Sequence, residues 1–444
     1  MSLVQLLRHL RKSAVLRSVG WQMLGSAATL ATALWISWRH GLAAQGEFGL
    51  AKSWFDAATA IAALGLPHGL LHLMYRCGIS AQQLLPWLRR ILAVAAILCL
   101  PTAAVAAALG QQTPALIFAS LPFAIAHLLA RSWLLRERGE EIFGAITAMP
   151  ALVLLATVLL GGKHYAWLLF GTAAIAGTIS LTLVAHTVRQ ARAATGVKTC
   201  NVPKALPPPP PPPPQKKPKP NNSTPPSRTL GLHPPKIGVG RPSLRRELWS
   251  SSLQIWMQAA LGGALPAGLL SVVAQSGQTQ RALGEASLGL HIYLVFAVLA
   301  GYGAPLLFHR IADHRTSAKL DAAALPARIQ HALWVLGVAL LLLMLVGVFL
   351  QPNALWPAIG LMSLAGIVAV AARLQGTVLL ARSKYFELSL QAGSRLLLAS
   401  LATELLIQFM PALVAVGAAL LLTEGLTWWR SAQQAARISA TEFT

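Results

Sequence analysis

The sequence predicts an all-α polytopic membrane protein. About 12 transmembrane helices form two six-helix, pseudo-symmetric bundles around a central cavity, with both termini cytoplasmic. Three observations lead there. The 444 residues are 55% hydrophobic and only 11% charged, with a mean hydropathy of +0.59, where a soluble domain carries about 25% charged residues. The apolar residues fall in runs long enough to cross a bilayer. Those runs lie in two groups of six, separated by a basic, proline-rich stretch over residues 189–246.

The chain opens on an amphipathic lead-in over residues 2–17, with Leu3, Leu6, Leu7 and Leu10 against Arg8, Arg11 and Lys12. Such a segment lies along the cytoplasmic interface. The apolar run at 18–38 is long enough to span and is followed at once by others, so it reads as an uncleaved first helix rather than a signal peptide. The remaining runs of the first half are 48–74, 88–109, 114–135, 142–160 and 166–187; those of the second are 250–273, 283–308, 329–350, 355–381, 386–407 and 409–429. Each is expected to be helical, because an open strand edge cannot satisfy its backbone in lipid. The stretch between the halves carries eight consecutive prolines, Pro207 to Pro214, then Lys216, Lys217 and Lys219. It has almost nothing apolar to bury and reads as a linker of polyproline character. The expected units are therefore 1–188 (lead-in and first bundle), 189–246 (linker), 247–430 (second bundle) and 431–444 (tail).

Charge sets the orientation. With the N-terminus inside, 30 of the 36 Lys and Arg fall on cytoplasmic segments or the cytoplasmic ends of spans (Arg89, Arg90 and Arg131 among them) and 3 outside, leaving Lys52, Arg373 and Arg395 deeper within spans. Without the linker the split is still 18 to 3. Tryptophans near span ends (Trp38, Trp87, Trp167, Trp249, Trp356, Trp428) suit the two interfaces. The net charge of +23 suggests nucleic acid at first sight. However, no basic patch interleaved with aromatics and no nucleic-acid-binding motif is present. Three cysteines without metal-ligand spacing lead us to expect no structural disulfide and no metal site.

The halves resemble each other. Gly46-Glu47 with Pro67 recurs as Gly284-Glu285 with Pro305, both 238 residues on, and Leu50, Ala62 and Gly65 match Leu288, Ala300 and Gly303. An even number of spans per half makes these parallel repeats, a plan that puts the substrate between the halves near the midplane.

The residues Leu42-Ala43-Ala44-Gln45-Gly46-Glu47-Phe48-Gly49-Leu50-Ala51, followed by Ala63-Leu64-Gly65-Leu66-Pro67, resemble the polysaccharide flippases of the multidrug/oligosaccharidyl-lipid/polysaccharide exporter superfamily. Those proteins often show a Gly-x-Phe/Tyr-Gly entrance to the second helix and a Leu-Gly-Leu-Pro-like exit. The chain departs from them in its long proline-rich centre and in lacking an aromatic after Gly284-Glu285. The resemblance implies a flippase of the bacterial inner membrane, carrying a polyprenyl-diphosphate-linked oligosaccharide to the periplasmic leaflet by alternating access. The implied partners are a lipid-linked anionic saccharide and the bilayer, with a polysaccharide polymerase or chain-length regulator also admitted; no nucleic acid is expected.

Ionisable residues inside a membrane are the first functional candidates. Arg395 and Arg373 are both expected to face the cavity, and one of them to hold phosphate. The competing reading is an internal ion pair, for instance with Glu404 or Glu424. Lys52 and Asp56, spaced i, i+4, form either a local salt bridge or a late release site. His127 and Arg131 repeat that spacing at the cytoplasmic end of their span, as an uptake site for the diphosphate or as ordinary positive-inside charge. His291, Glu404 and Glu424 are the ion-coupling candidates, with a packing role the alternative for His291. Gln254 and Gln258 share a helix face, suited to sugar hydroxyls or to bonding a neighbouring helix. No cofactor is expected; coupling to membrane potential, H+ or Na+ is open.

Other classes compete. A multidrug or metabolite exporter, of the same superfamily or of the major facilitator type, shares the 6+6 plan. The Gly-x-x-x-Asp-Arg-x-Gly-Arg-Arg-like loop of the major facilitators is absent from residues 76–90. An envelope polymerase or ligase needs a large external loop with catalytic groups, and every external loop here is short. A G-x-x-x-x-G-K-[ST] phosphate loop is also absent, which argues against an ATP-driven pump. The expectation is a transporter rather than an enzyme.

Overall fold

The computed structural model describes residues 14–76, 79–162, 164–198, 244–313, 335, 355–381 and 384–441. Within them the chain is helical: α1 (Ala14–His40), α2 (Leu42–Ala62), α3 (Leu66–Arg76), α4 (Ala81–Ala108), α5 (Gln112–Arg138), α6 (Glu140–Leu159) and α7 (Tyr165–Lys198) make the first half. The second comprises α8 (Leu244–Gln275), α9 (Gln280–Asp313), α10 (Leu355–Ala381), α11 (Tyr385–Leu406) and α12 (Ala412–Thr441). Among the described residues, seven helices (α4 to α8, α10 and α12) carry an apolar window long enough to cross a membrane. The expected span 329–350, the lead-in before residue 14 and the linker over 199–243 lie outside the described residues.

The twelve helices of the described residues do not map one-to-one onto the twelve expected spans. The second apolar run is two helices, α2 and α3, broken at Ala63–Gly65, where Leu64 (φ 50) and Gly65 (φ 68) both turn left-handed. The N–H groups of Leu64 and Leu66 reach back to the carbonyls of Ile61 and Ala63 (3.2 and 2.9 Å), and α3 restarts from the Gly65 carbonyl. Pro67 sits in the first turn of α3, where a missing N–H costs no helical bond. The ends of the basic central stretch are also helical. The 34 residues of α7 and 32 of α8 measure about 51 and 48 Å at 1.5 Å per residue, well beyond a hydrocarbon core of about 30 Å.

Each half has its own apolar core. In the first, Leu66, Leu70 and Leu73 of α3 pack with Leu84 and Leu88 of α4 and with Leu121, Ile125 and Trp133 of α5. The Trp133 indole is buried and donates to the Ala81 carbonyl (2.8 Å), so its polar edge is not left orphaned in the core. In the second half, Leu265, Leu269 and Val273 of α8 meet Leu283 and Leu290 of α9, an alanine-rich face of α10 (Ala358, Ala365, Ala369) and Val416 and Leu420 of α12. Small residues on α10 let the backbones approach, the packing device available where lipid removes the hydrophobic drive between helices. Helix pairs α1–α6, α4–α5 and α5–α7 hold the first bundle; α8–α11, α9–α10, α10–α12 and α11–α12 hold the second.

Candidate functional site

The bundles meet along α2, which lies against both α8 and α9. Its crossing with α9 is a backbone-to-backbone approach. A Cβ on Gly46 would stand 3.0 Å from the Gly284 nitrogen and 3.1 Å from the Gln280 carbonyl. One on Gly284 would overlap the Leu42 carbonyl, and one on Gly49 would overlap the Ser287 side chain. The buried Gln45 amide donates to Ser287 Oγ (3.1 Å), closing a polar bridge across the seam. One turn further, the Phe48 ring stacks over His291 (centroids 6.4 Å apart, planes 18° apart) and meets Tyr165 edge-on.

Toward the cytoplasmic end the seam passes to α8. Ala60 sits where a Cβ on Gly263 would come within 2.7 Å. Trp256 donates its indole N–H to the Ile61 carbonyl (2.8 Å), the same carbonyl that accepts from Leu64 at the helix break. Gly65 is required twice over: its φ favours glycine, and a Cβ there would overlap the Ser252 carbonyl. The motif residues Gly46, Phe48, Gly49 and Gly65 thus have a packing reason.

The second bundle holds the most buried charge. Arg395 of α11 is 9% exposed and Glu424 of α12 is fully buried; Nη1 and Oε1 lie 3.5 Å apart. The hydroxyl of Tyr293, itself fully buried on α9, donates to the same Oε1 (2.5 Å). Three helices are tied through one carboxylate. Among the described residues, Glu424 Oε2 and Arg395 Nε have no hydrogen-bond partner, so the carboxylate retains an acceptor site there. Of the two acids the sequence offered Arg395, the structure pairs it with Glu424; Glu404 is exposed near the end of α11. Arg373 of α10 is half-buried and donates through Nη1 to the Ala297 carbonyl of α9 (2.5 Å).

In the first bundle, Lys52 Nζ and Asp56 Oδ2 form an i, i+4 pair at 2.5 Å with side chains 20% and 47% exposed. Both charges act on His291 across the seam. His291 is buried and its Nδ1 bonds the Ser287 carbonyl (2.8 Å), a local helix bond. His127 is buried and bonded through Nδ1 to Ser180 Oγ of α7 (2.9 Å). The Arg131 guanidinium lies 5.5 Å from the centre of the Phe143 ring, and both His68 and His127 lie within its electrostatic reach. Gln258 is half-buried on α8; the side chain of Gln254 lies outside the described set.

The structure therefore brings Lys52, Asp56 and His291 to the seam and gathers Arg395 and Glu424 inside the second bundle. His127 and Arg131 stand apart, in the first. Sequence reasoning missed Tyr293, Trp256, Ser287 and His68. An intramembrane tyrosine two residues after His291 was a usable signal for Tyr293; for Trp256 there was none, since its position near a span end matched an interfacial tryptophan equally well.

The sequence matches no protein-family model and no curated protein. The fold does have solved counterparts. A MATE protein in the straight conformation superposes with a TM-score of 0.63 at 12% identity, covering 97% of each chain. An inward-facing multidrug resistance MATE family transporter of the MOP superfamily gives 0.60 at 10% identity, over 96% of this chain and 99% of the other. Its outward-facing counterpart gives 0.59 at 13% identity, over 97% and 96%. This chain has the two-bundle fold of those proteins.

Proposed function

We propose that the chain is an alternating-access membrane transporter that works as a multidrug or metabolite exporter. One observation carries the reading: 96–97% of the chain superposes on multidrug resistance transporters in both inward- and outward-facing conformations. The seam suits that cycle. Glycine-lined contacts at Gly46, Gly49 and Gly284 rest on close backbone approach with few interlocking side chains, so they can part without unpacking either core.

The charges bear on the cargo. Arg395, the most central cation, is neutralised by Glu424, which weakens the case for a phosphate held there. Asp56 at the seam and the free oxygen of Glu424 are carboxylate features that a cationic cargo or a coupling ion uses. Exporting a cation from a negative interior costs about 2.3 kcal/mol per charge per 100 mV, so such a cargo needs exchange against H+ or Na+. Glu424 is the group we assign to that exchange: a proton or Na+ on Oε2 competes with Arg395 and Tyr293 for the carboxylate and loosens α9 from α11 and α12.

The second reading is the flippase for a lipid-linked oligosaccharide in the bacterial inner membrane, with a polymerase or chain-length regulator as partner. The motif over residues 42–67 and the cations Lys52, Arg373 and Arg131 favour it, with Gln254 and Gln258 suited to sugars. Purified protein in proteoliposomes, given an inward H+ or Na+ gradient and a fluorescent organic cation, separates the two. Gradient-driven movement of the dye, lost in Glu424→Gln, supports the exporter. No dye movement, together with lipid-linked saccharide trapped on the cytoplasmic side in a deletion strain, overturns it in favour of the flippase.

A further inference from the structure

A groove runs along the cytoplasmic half of the first bundle, away from the seam. Helices α4 and α7 both pack on α5 and leave a cavity of about 260 Å³ between them. Its walls are apolar: Leu85 and Leu92 from α4, Leu181 and Val188 from α7, with Ala126 and Ala130 of α5 as a floor of small residues. Drug-sized pockets run to about 300–1,000 Å³, so this one suits a slimmer occupant.

Two arginines close the lining, Arg89 on α4 and Arg189 on α7. Both are exposed, no acidic residue lines the groove, and among the described residues neither arginine forms an ion pair. Both lie on the one groove, Arg89 8 residues from the start of α4 and Arg189 9 from the end of α7. Beside them the Arg90 guanidinium stacks on Trp87 (5.5 Å to the ring centre), an interfacial anchor that fixes the depth of α4. The outer face of α4 is bare apolar side chain, with Val94, Ile97 and Leu98 all more than half exposed, so this helix already faces lipid.

We propose that the groove binds an anionic glycerophospholipid of the cytoplasmic leaflet. Its phosphate sits between Arg89 and Arg189, and one acyl chain lies against Leu85, Leu92, Leu181 and Val188. Charge complementarity selects the head group, and basic pockets between transmembrane helices on the cytoplasmic side suit anionic lipids in general. The bound lipid wedges α4 against α7 and stays with the first bundle.

The test uses the full-length protein, delipidated in detergent and then given equimolar phosphatidylglycerol and phosphatidylcholine, with retained lipid counted by native mass spectrometry. Wild type is expected to retain phosphatidylglycerol preferentially. In Arg89→Gln/Arg189→Gln that preference falls about tenfold or more, as two near-surface cations imply, whereas Arg430→Gln, an exposed cation of α12 in the other bundle, leaves it unchanged. Leu181→Trp keeps both charges but fills the groove from its exposed side, and should also lose the lipid. Undiminished phosphatidylglycerol in the double arginine variant overturns the site. So does undiminished binding in Leu181→Trp, which would reduce the effect to surface charge. Replacement of phosphatidylglycerol by a polyprenyl diphosphate in a competition arm overturns the choice of occupant.

Discussion

The second span of the first half and its repeat in the second half share six residues at a constant offset, yet they are built differently. Gly65 and Pro67 mark a break between α2 and α3; Gly303 and Pro305, 238 residues on, lie inside an unbroken α9. The difference lies in what each span is anchored to. Along α9, Tyr293 bonds Glu424 and the Ala297 carbonyl accepts from Arg373, so this span is tied to its own bundle. The residue 238 before Tyr293 is Phe55, which has no hydroxyl to offer. The first-half span instead leans across the seam, and α8 docks into its break through Ser252 and Trp256. Counting back 238 from Trp256 gives Ser18, whose hydroxyl is bonded by Gln22 within α1. The same glycine and proline therefore permit a break in both halves. Among the described residues, the partner that caps a break, Trp256, stands beside the first.

The largest expected effect tests the anchor of α9. Arg395→Ala leaves Glu424 buried without its cation and should destabilise the protein by about 3–5 kcal/mol, read as thermal unfolding in detergent. Arg395→Leu combined with Glu424→Gln should recover most of that, since both charges are then gone. Wild-type stability in Arg395→Ala would mean that the pair is not what holds the second bundle.

Next comes the break itself. Gly65→Ala forces a left-handed alanine, about 1–2 kcal/mol by backbone strain alone, and drives a methyl into the Ser252 carbonyl. Gly303→Ala, in an unbroken helix, should stay within about 1 kcal/mol of wild type or gain from alanine's helix propensity. Equal losses at the two sites would show that the two spans are more alike than their backbones.

Trp256→Phe keeps the ring and deletes the bond to the Ile61 carbonyl, an expected loss of about 1 kcal/mol. Cysteine cross-linking between α3 and α8 in that variant reports whether α8 has shifted at the break. The smallest effect belongs to Lys52→Ala. Its pair with Asp56 is partly exposed, and such pairs are worth about 0–1 kcal/mol. A large loss there would mark Lys52 as more than a local partner of Asp56.

Much of this fold was legible in the residues. The apolar runs that fall on described residues are helical but for single end residues, the break at Ala63–Gly65 and the start of the last run, because lipid leaves the backbone no other partner. The 238-residue repeat pointed to Gly46 and Gly284, and these two meet at the crossing of α2 and α9. The site was legible only as a set of candidates. Arg395 needed a carboxylate and the second half offered Glu404 and Glu424; helical periodicity orders residues on one helix but not the rotation of one helix against another.

The sequence by itself determined what depends on the solvent. Apolar runs of spanning length, a central basic stretch and a 30-to-3 asymmetry of cations dictate a membrane protein of two halves with a defined orientation. Tertiary structure decided what depends on neighbours: which span breaks, which acid meets Arg395, and that Tyr293 joins them. Transfer into lipid is a property each segment has alone, whereas a cap, an ion pair or a hydrogen bond exists only once two segments have met.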